Sequence, residues 1–351
     1  MSPSPKPRPG LRQVDAYASP QVDVPVRLNT NECPTRLPES FFAMLAAVVR
    51  DIPLNRYPDS EMTRLREKLA AHVGRPVEMI WAANGSNEIL TELFLAYGGP
   101  TRKVAIFEPT YLLHGRLAWL TNTDILGFTM KPPFVLGPRD VAAAAAMKPN
   151  LVLVCSPNNP TGNAQGLDVI RRFAEQTGAL VVVDEAYIEF GGETALPLVD
   201  EFANLVVVRT LSKAFALAGA RLGYCIAAPP VIDDLRRVRL PYHVSTLTQA
   251  AGIAALLHTE AAMAIVDAIR AERDRLLGGL AALPDVVTFP SEANFVLFKP
   301  PKPAGLVWQE LLDRGVLVRD MTAVVPDALR VSAGTTSEVD RFFQALEEVL
   351  T

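Results

Sequence analysis

Leu151-Val-Leu-Val-Cys-Ser-Pro-Asn-Asn-Pro-Thr-Gly162 runs from an apolar segment straight into a polar turn. Leu180-Val-Val-Val-Asp-Glu-Ala-Tyr187 repeats the design after one helix-length stretch, Leu167 to Thr177. A strand that is apolar at every position rather than every second one is buried on both faces, and such strands alternating with helices build a covered parallel sheet. Working outward, similar runs lie at Met79 to Ala83, Lys103 to Phe107, Leu205 to Arg209 and Leu222 to Ala227, with helical patterns at Ser86 to Tyr97 and Tyr111 to Leu120 between them. The expected fold is α/β, with a large domain whose mostly parallel sheet is covered by helices on both faces.

The pattern changes after Pro241. Ser245 to Leu257 and Glu260 to Leu283 read as long helices, followed by short strand candidates at Asn294 to Phe298, Val316 to Arg319 and Ala328 to Ser332, and a closing helix over Ser337 to Leu350. That predicts a smaller α+β domain. The expected boundaries are a disordered Pro-rich leader over 1–15, an N-terminal arm over 16–45 that joins the small domain, a large domain over 46–245 and a small one over 246–351. There is no internal repeat, and the leader and the run Ala142 to Ala146 are the only low-complexity stretches.

Composition narrows the function classes. A 49% apolar and 21% charged chain of 351 residues has the profile of an ordinary soluble protein and can bury a core without staples. A net charge of −4 gives no reason to expect nucleic acid, which needs clustered Lys and Arg. Cys33, Cys155 and Cys225 are scattered, so no disulfide framework is expected and a cytoplasmic setting is simplest. The leader MSPSPKPRPG lacks the apolar core of a signal peptide, and no apolar run reaches the ~18 residues of a membrane span. His72, His114, His243 and His258 show no ligand spacing; each is expected on the surface or in packing, with no metal site.

The chemistry gathers at the strand ends, where open α/β sheets hold their ligands. Read alone, Ser156-Pro-Asn-Asn-Pro-Thr-Gly162 is equally a tight structural turn. Asp184, at the end of an apolar strand, needs a cation or serves as a cap, and Tyr187 follows near the same mouth. In Arg209-Thr-Leu-Ser-Lys-Ala-Phe-Ala-Leu-Ala-Gly-Ala-Arg221, Lys213 stands among small and apolar residues that disfavour its ammonium form. Thr210, Ser212 and Arg221 offer hydroxyls and a guanidinium fork for a phosphate. Ala83-Asn-Gly-Ser-Asn87 opens a helix whose free N–H groups suit the same anion. The set supplies what pyridoxal 5′-phosphate (PLP) requires: an amine for its aldehyde, a carboxylate for its pyridinium nitrogen and a phosphate cradle.

These motifs, with Leu28-Asn-Thr-Asn-Glu-Cys-Pro34, Asn55-Arg-Tyr-Pro58, Asp184-Glu-Ala-Tyr-Ile-Glu-Phe190 and Leu329-Arg-Val-Ser-Ala-Gly-Thr335, resemble the fold-type I aminotransferases, and among them the histidinol-phosphate aminotransferase branch. The likeness runs from about Tyr17 to the C-terminus. It implies that Lys213 carries the cofactor and then moves the substrate proton, that Asp184 pairs with the pyridine nitrogen, and that Asn159 and Tyr187 hold the ring oxygen. It implies further that Tyr111 stacks on the ring and that Ser86 and Asn87 N–H groups, Thr210, Ser212 and Arg221 hold the phosphate. Tyr57 would reach the partner's cofactor in a homodimer. Arg330 would bind the substrate's anionic group, with Tyr17, Asn31 and Arg319 completing the substrate pocket. The implied substrates are glutamate and imidazole acetol phosphate, giving 2-oxoglutarate and histidinol phosphate in histidine biosynthesis.

This sequence departs from the branch at Cys33, where a larger residue is more usual, and in the short apolar segment Met321-Thr-Ala-Val-Val-Pro326. Competing readings keep the cofactor and change the rest: an aromatic or broad-range aminotransferase, or a threonine-phosphate decarboxylase. A PLP-binding sensor domain would carry an added DNA-binding module, for which the residues before the matching region leave little room.

Overall fold

The computed structural model describes residues 5–8, 10–11 and 20–351. In chain order the strands are β1 (Val26–Arg27), β2 (Ile80–Ala83), β3 (Lys103–Glu108), β4 (Asp124–Thr129), β5 (Leu151–Cys155), β6 (Leu180–Asp184), β7 (Leu205–Thr210) and β8 (Gly223–Ala227). There follow β9 (Val287–Thr288), β10 (Phe295–Lys299), β11 (Val316–Leu317), β12 (Arg319–Asp320) and β13 (Leu329–Ser332). Seven of them form one sheet in the order β2-β8-β7-β6-β5-β3-β4, parallel throughout except for β8, which runs antiparallel to both neighbours.

The central strands explain why the site is where it is. Every residue of β5, β6 and β7 is buried, as their unbroken apolar runs require. Val181, Val182 and Val183 are at most 1% exposed. Each contributes ~1.5–3 kcal/mol by its burial, enough together to offset a polar residue at the strand end. That residue is Asp184, in register with Cys155 of β5 and Val208 of β7. One line of paired residues therefore places the turn after β5, the carboxylate of β6 and the Thr210–Lys213 segment after β7 along one edge of the sheet.

A second sheet, β12-β13-β10-β9, is antiparallel and belongs to the C-terminal part of the chain. The long helices Thr246–Leu256 and Thr259–Ala282 connect the two sheets in sequence. β1 pairs in parallel with β11, Val26 opposite Val316, so the N-terminal arm is tied to this C-terminal part. Two local expectations change. Val316 to Arg319 is not one strand: it divides at Val318, the first half pairing with β1 and the second with β13, because the two halves serve different neighbours. The helix expected from Tyr111 begins at Leu113 instead, which leaves Tyr111 on the loop above the sheet.

Part of the Pro-rich leader has a foothold: Arg8 lies 4.2 Å over the Trp119 ring and donates to the carbonyl of Leu120. Among the described residues no single helix is long and apolar enough to cross a membrane.

Candidate active site

A cleft of about 360 Å³ opens beyond the ends of β5, β6 and β7. Lys213 reaches into it from the segment after β7, and its Nζ donates to the carbonyl of Thr30 at 3.1 Å. Burial, reinforced by the Arg330 and Arg221 charges, pulls the ammonium down to about 8, against the pull of Glu32 the other way. An amine so poised is a nucleophile near neutral pH, where an ordinary lysine is protonated.

Asp184 is 3% exposed at the floor of the same cleft. One carboxylate oxygen accepts from the Ala186 N–H at 3.2 Å, and the other lies 3.4 Å from Nε2 of His114. His114 is 1% exposed and stands edge-on to the Tyr111 ring, 5.7 Å between centroids. Sequence spacing gave His114 no role beyond surface or packing. The signal was its position three residues after Tyr111: the turn between them, closed by the His114 N–H on the Tyr111 carbonyl at 3.0 Å, brings the two rings together.

Above Lys213 the Tyr187 ring centroid is 5.9 Å from Nζ. The Tyr187 hydroxyl accepts from Asn31 Nδ2 at 3.0 Å and from Asn159 Nδ2 at 3.4 Å, and burial holds the phenol protonated well above its usual range. Arg330, on β13, donates through Nη1 to Asn159 Oδ1 at 2.6 Å and through Nη2 to the Asn29 carbonyl at 2.9 Å. Asn31 is held in turn by Ser332, which bonds both its backbone N–H and its side-chain oxygen. Arm, turn, strand-end tyrosine and β13 thus form one hydrogen-bonded wall. Arg319 lines the cleft beside Met321.

The other end is built for an anion. Ser86 and Asn87 open the helix Ser86–Tyr97, whose N-terminus carries no side-chain cap and lines the cleft. Two glycines let the backbone close up here. A Cβ on Gly85, which has φ +93°, would lie 2.7 Å from Arg221 Nη2, and one on Gly223 would lie 2.1 Å from the Ser86 nitrogen. Thr210 and Ser212 complete this end, the Ser212 N–H donating to Thr210 Oγ1 at 3.1 Å. Tyr111 donates its hydroxyl to Asn87 Oδ1 at 3.3 Å.

The cleft therefore gathers the sequence-derived candidates from all three groups, at the amine, the ring and the anion end. Two remain apart. Tyr57 is 80% exposed and stacks on Tyr242 with ring centroids 4.4 Å apart, away from the cleft of its own chain. Tyr17 lies outside the described residues. Glu32, Leu112 and Met321 line the cleft without having been singled out. Cys33 sits just outside it, its thiol facing the Thr35 carbonyl and pushed up by burial. Amine, buried carboxylate, phenol with amide partner, and uncapped helix start with Arg221 are the donor set that PLP requires, so the residues present fit that group.

The family model "Aminotransferase class I and II" matches residues 24–346. A histidinol-phosphate aminotransferase of Mycolicibacterium smegmatis is 46% identical over 97% of this chain and 93% of its own length. One from Paenarthrobacter aurescens is 44% identical over 98% and 94%. Among solved structures, histidinol-phosphate aminotransferase from Sinorhizobium meliloti in complex with pyridoxal-5′-phosphate superposes with a TM-score of 0.88 at 24% identity, covering 100% of this chain and 99% of that one.

Proposed function

Because the chain belongs to the class I and II aminotransferases, we propose that its cleft binds PLP and transfers the amino group of glutamate to imidazole acetol phosphate, yielding 2-oxoglutarate and histidinol phosphate in cytoplasmic histidine biosynthesis. The observation that carries this reading is the meeting of the Lys213 amine and the Asp184 carboxylate in one cleft whose far wall holds Arg319 and Arg330. The division into an arm (16–45), a large unit (46–245) and a small unit (246–351) is part of the same proposal.

When bound, PLP supplies an electron sink for the charge that develops at the substrate Cα. The chain's residues do the rest. Asp184 would pair with the protonated pyridine nitrogen, with His114 Nε2 3.4 Å from the same carboxylate. Asn159 and Tyr187 would hold the ring oxygen and Tyr111 would lie against the ring. Ser86, Asn87, Thr210, Ser212 and Arg221 would hold the phosphate. Lys213 would supply the amine that carries the cofactor and the base that moves the substrate Cα proton. Arg330 orients the α-carboxylate in one half-reaction. Arg319, with Asn31 and Tyr17, receives the phosphate ester in the other, since a guanidinium fork matches either anion.

Steady-state kinetics with glutamate as donor test the substrate. kcat/KM for imidazole acetol phosphate is expected to exceed that for phenylpyruvate by about 10-fold or more, the discrimination that one charge-assisted anion contact of ~1.5–3 kcal/mol provides. Faster use of phenylpyruvate would make the enzyme an aromatic aminotransferase, and carbon dioxide released from O-phosphothreonine without a keto acid would make it a decarboxylase.

The homodimer is part of the same reading. Tyr57 and Tyr242 stack in the open, with Leu54 and Leu240 69% and 70% exposed near them in sequence, an apolar surface of the kind that marks an interface. If Tyr57 serves the partner's cofactor, Tyr57→Ala weakens PLP retention by roughly 10-fold. Mixing Tyr57→Ala with Lys213→Ala subunits then creates one intact site per hybrid dimer, so activity at limiting PLP rises above that of either parent. No gain on mixing would place the role of Tyr57 within its own chain.

A further inference from the structure

Outside the cleft, the least explained side chains lie beneath the sheet edge at β2. Glu92 is 2% exposed. One of its oxygens accepts from the indole N–H of Trp81 at 2.9 Å, and the other, Oε1, is buried with no hydrogen-bond partner among the described residues. The His243 imidazole faces it, with Nε2 4.0 Å from that oxygen. The His243 side chain is itself 2% exposed, stacks at 5.6 Å on Trp81, and sets Nε2 3.1 Å from the Ala82 carbonyl. Glu88, one helical turn before Glu92 on the same face, completes the group: ligand atoms of Glu88, Glu92 and His243 all lie within 4.8 Å of one another.

The local arginines do not account for the buried carboxylate. Arg66, Arg236 and Arg239 crowd over Trp81, yet their ion pairs go to Glu61 and, for Arg236, also to Asp233. Burial pushes the Glu92 carboxyl up to about 8, and the Trp81 indole satisfies only one of its two oxygens, so the second oxygen is left over by the fold. We propose that Glu88, Glu92 and His243, with the Ala82 carbonyl beside them, form a binding site for one divalent transition-metal ion.

Two carboxylates and an imidazole are a borderline ligand set suited to Zn2+, Co2+ or Mn2+. Bonds of ~2.0–2.1 Å in a tetrahedron put ligand atoms ~3.4 Å apart, so Glu92 and His243 need to close by only about half an ångström. Glu88, half-buried on the first turn of its helix, can swing to meet them. Ligation uses the Nε2 lone pair, which places the imidazole proton on Nδ1 and ends the contact to Ala82. Because Glu88 also accepts from the Asn84 N–H at 2.5 Å, an ion here would tie the phosphate-end loop to the sheet edge.

The test is metal titration of the full-length, PLP-saturated protein after chelation and desalting, with Zn2+ by calorimetry and Co2+ by its visible absorption. The expected result is one saturable ion per chain, a raised Tm on binding, and at least a tenfold loss of affinity in Glu92→Gln and in Glu88→Gln. Both variants keep a carbonyl oxygen for the Trp81 and Asn84 N–H donors, so the fold is retained and their circular dichroism should match the parent. Absence of a saturable site at millimolar metal, or equal binding by the parent and both variants, would overturn the proposal.

Discussion

Lys213→Ala is expected to lose transamination by roughly 10²–10⁴-fold, the range that removal of a positioned acid–base group produces, and to lose the borohydride-trappable bond to the cofactor altogether. Among the described residues that line the cleft Lys213 is the only amine, and its Nζ donates to the carbonyl of Thr30 in the parent. In the parent, the rate at which the apoprotein captures PLP should rise with pH through about 8, because the buried ammonium gives up its proton there rather than near 10.5. A capture rate that climbs only above pH 10 would mean that Nζ is solvated. A covalent adduct surviving in Lys213→Ala would place the reactive amine elsewhere.

The second large effect is expected at Asp184→Asn. Replacing one partner of a buried charge pair costs ~3–5 kcal/mol, which corresponds to roughly 10²–10⁴-fold in kcat. Asn is nearly isosteric and still accepts from the Ala186 N–H, so stability should change little while the ring loses the charge that keeps its nitrogen protonated. Absorbance and kcat should therefore move together, with KM for glutamate much less affected. A variant that keeps full kcat would show that the carboxylate serves the fold instead. His114→Ala provides the graded comparison: it leaves the carboxylate but removes the ring behind it, and a smaller kcat loss with a shifted pH profile is the expected signature of positioning.

Much of this site was readable because it is written at strand ends. Asp184 and the Asn-Pro-Thr-Gly turn follow runs that are otherwise wholly apolar, where a polar residue has few structural excuses, and Lys213 stands four residues past Arg209, where the apolar run of a third strand ends. β4 was not foreseen. It is an edge strand, largely exposed, so Asp124 to Thr129 lacks the unbroken apolar signature of its neighbours. Nor could spacing reveal contacts between distant segments. Glu92 and His243 meet only because the helix Ser86–Tyr97 and the segment after Leu240 lie side by side, and Glu32 enters the cleft only because the arm crosses it. Tyr57 marks a further limit: it is exposed in its own chain, and only the proposed homodimer gives it a role.

The ladder joining Val26 to Val316, with the bonds from Asn29 to Arg330 and from Asn31 to Ser332, has a bearing on how the molecule matures on the ribosome. The seven-stranded sheet is fully translated once Ala227 has emerged, yet the wall over Lys213 needs residues from both extremities of the chain. During synthesis the early arm must wait, unpaired, while roughly three hundred residues are added. A nascent chain stalled before Arg330 would own its amine and its phosphate cradle but not the wall that Arg330 and Ser332 complete, so the pocket closes only after β13 is made.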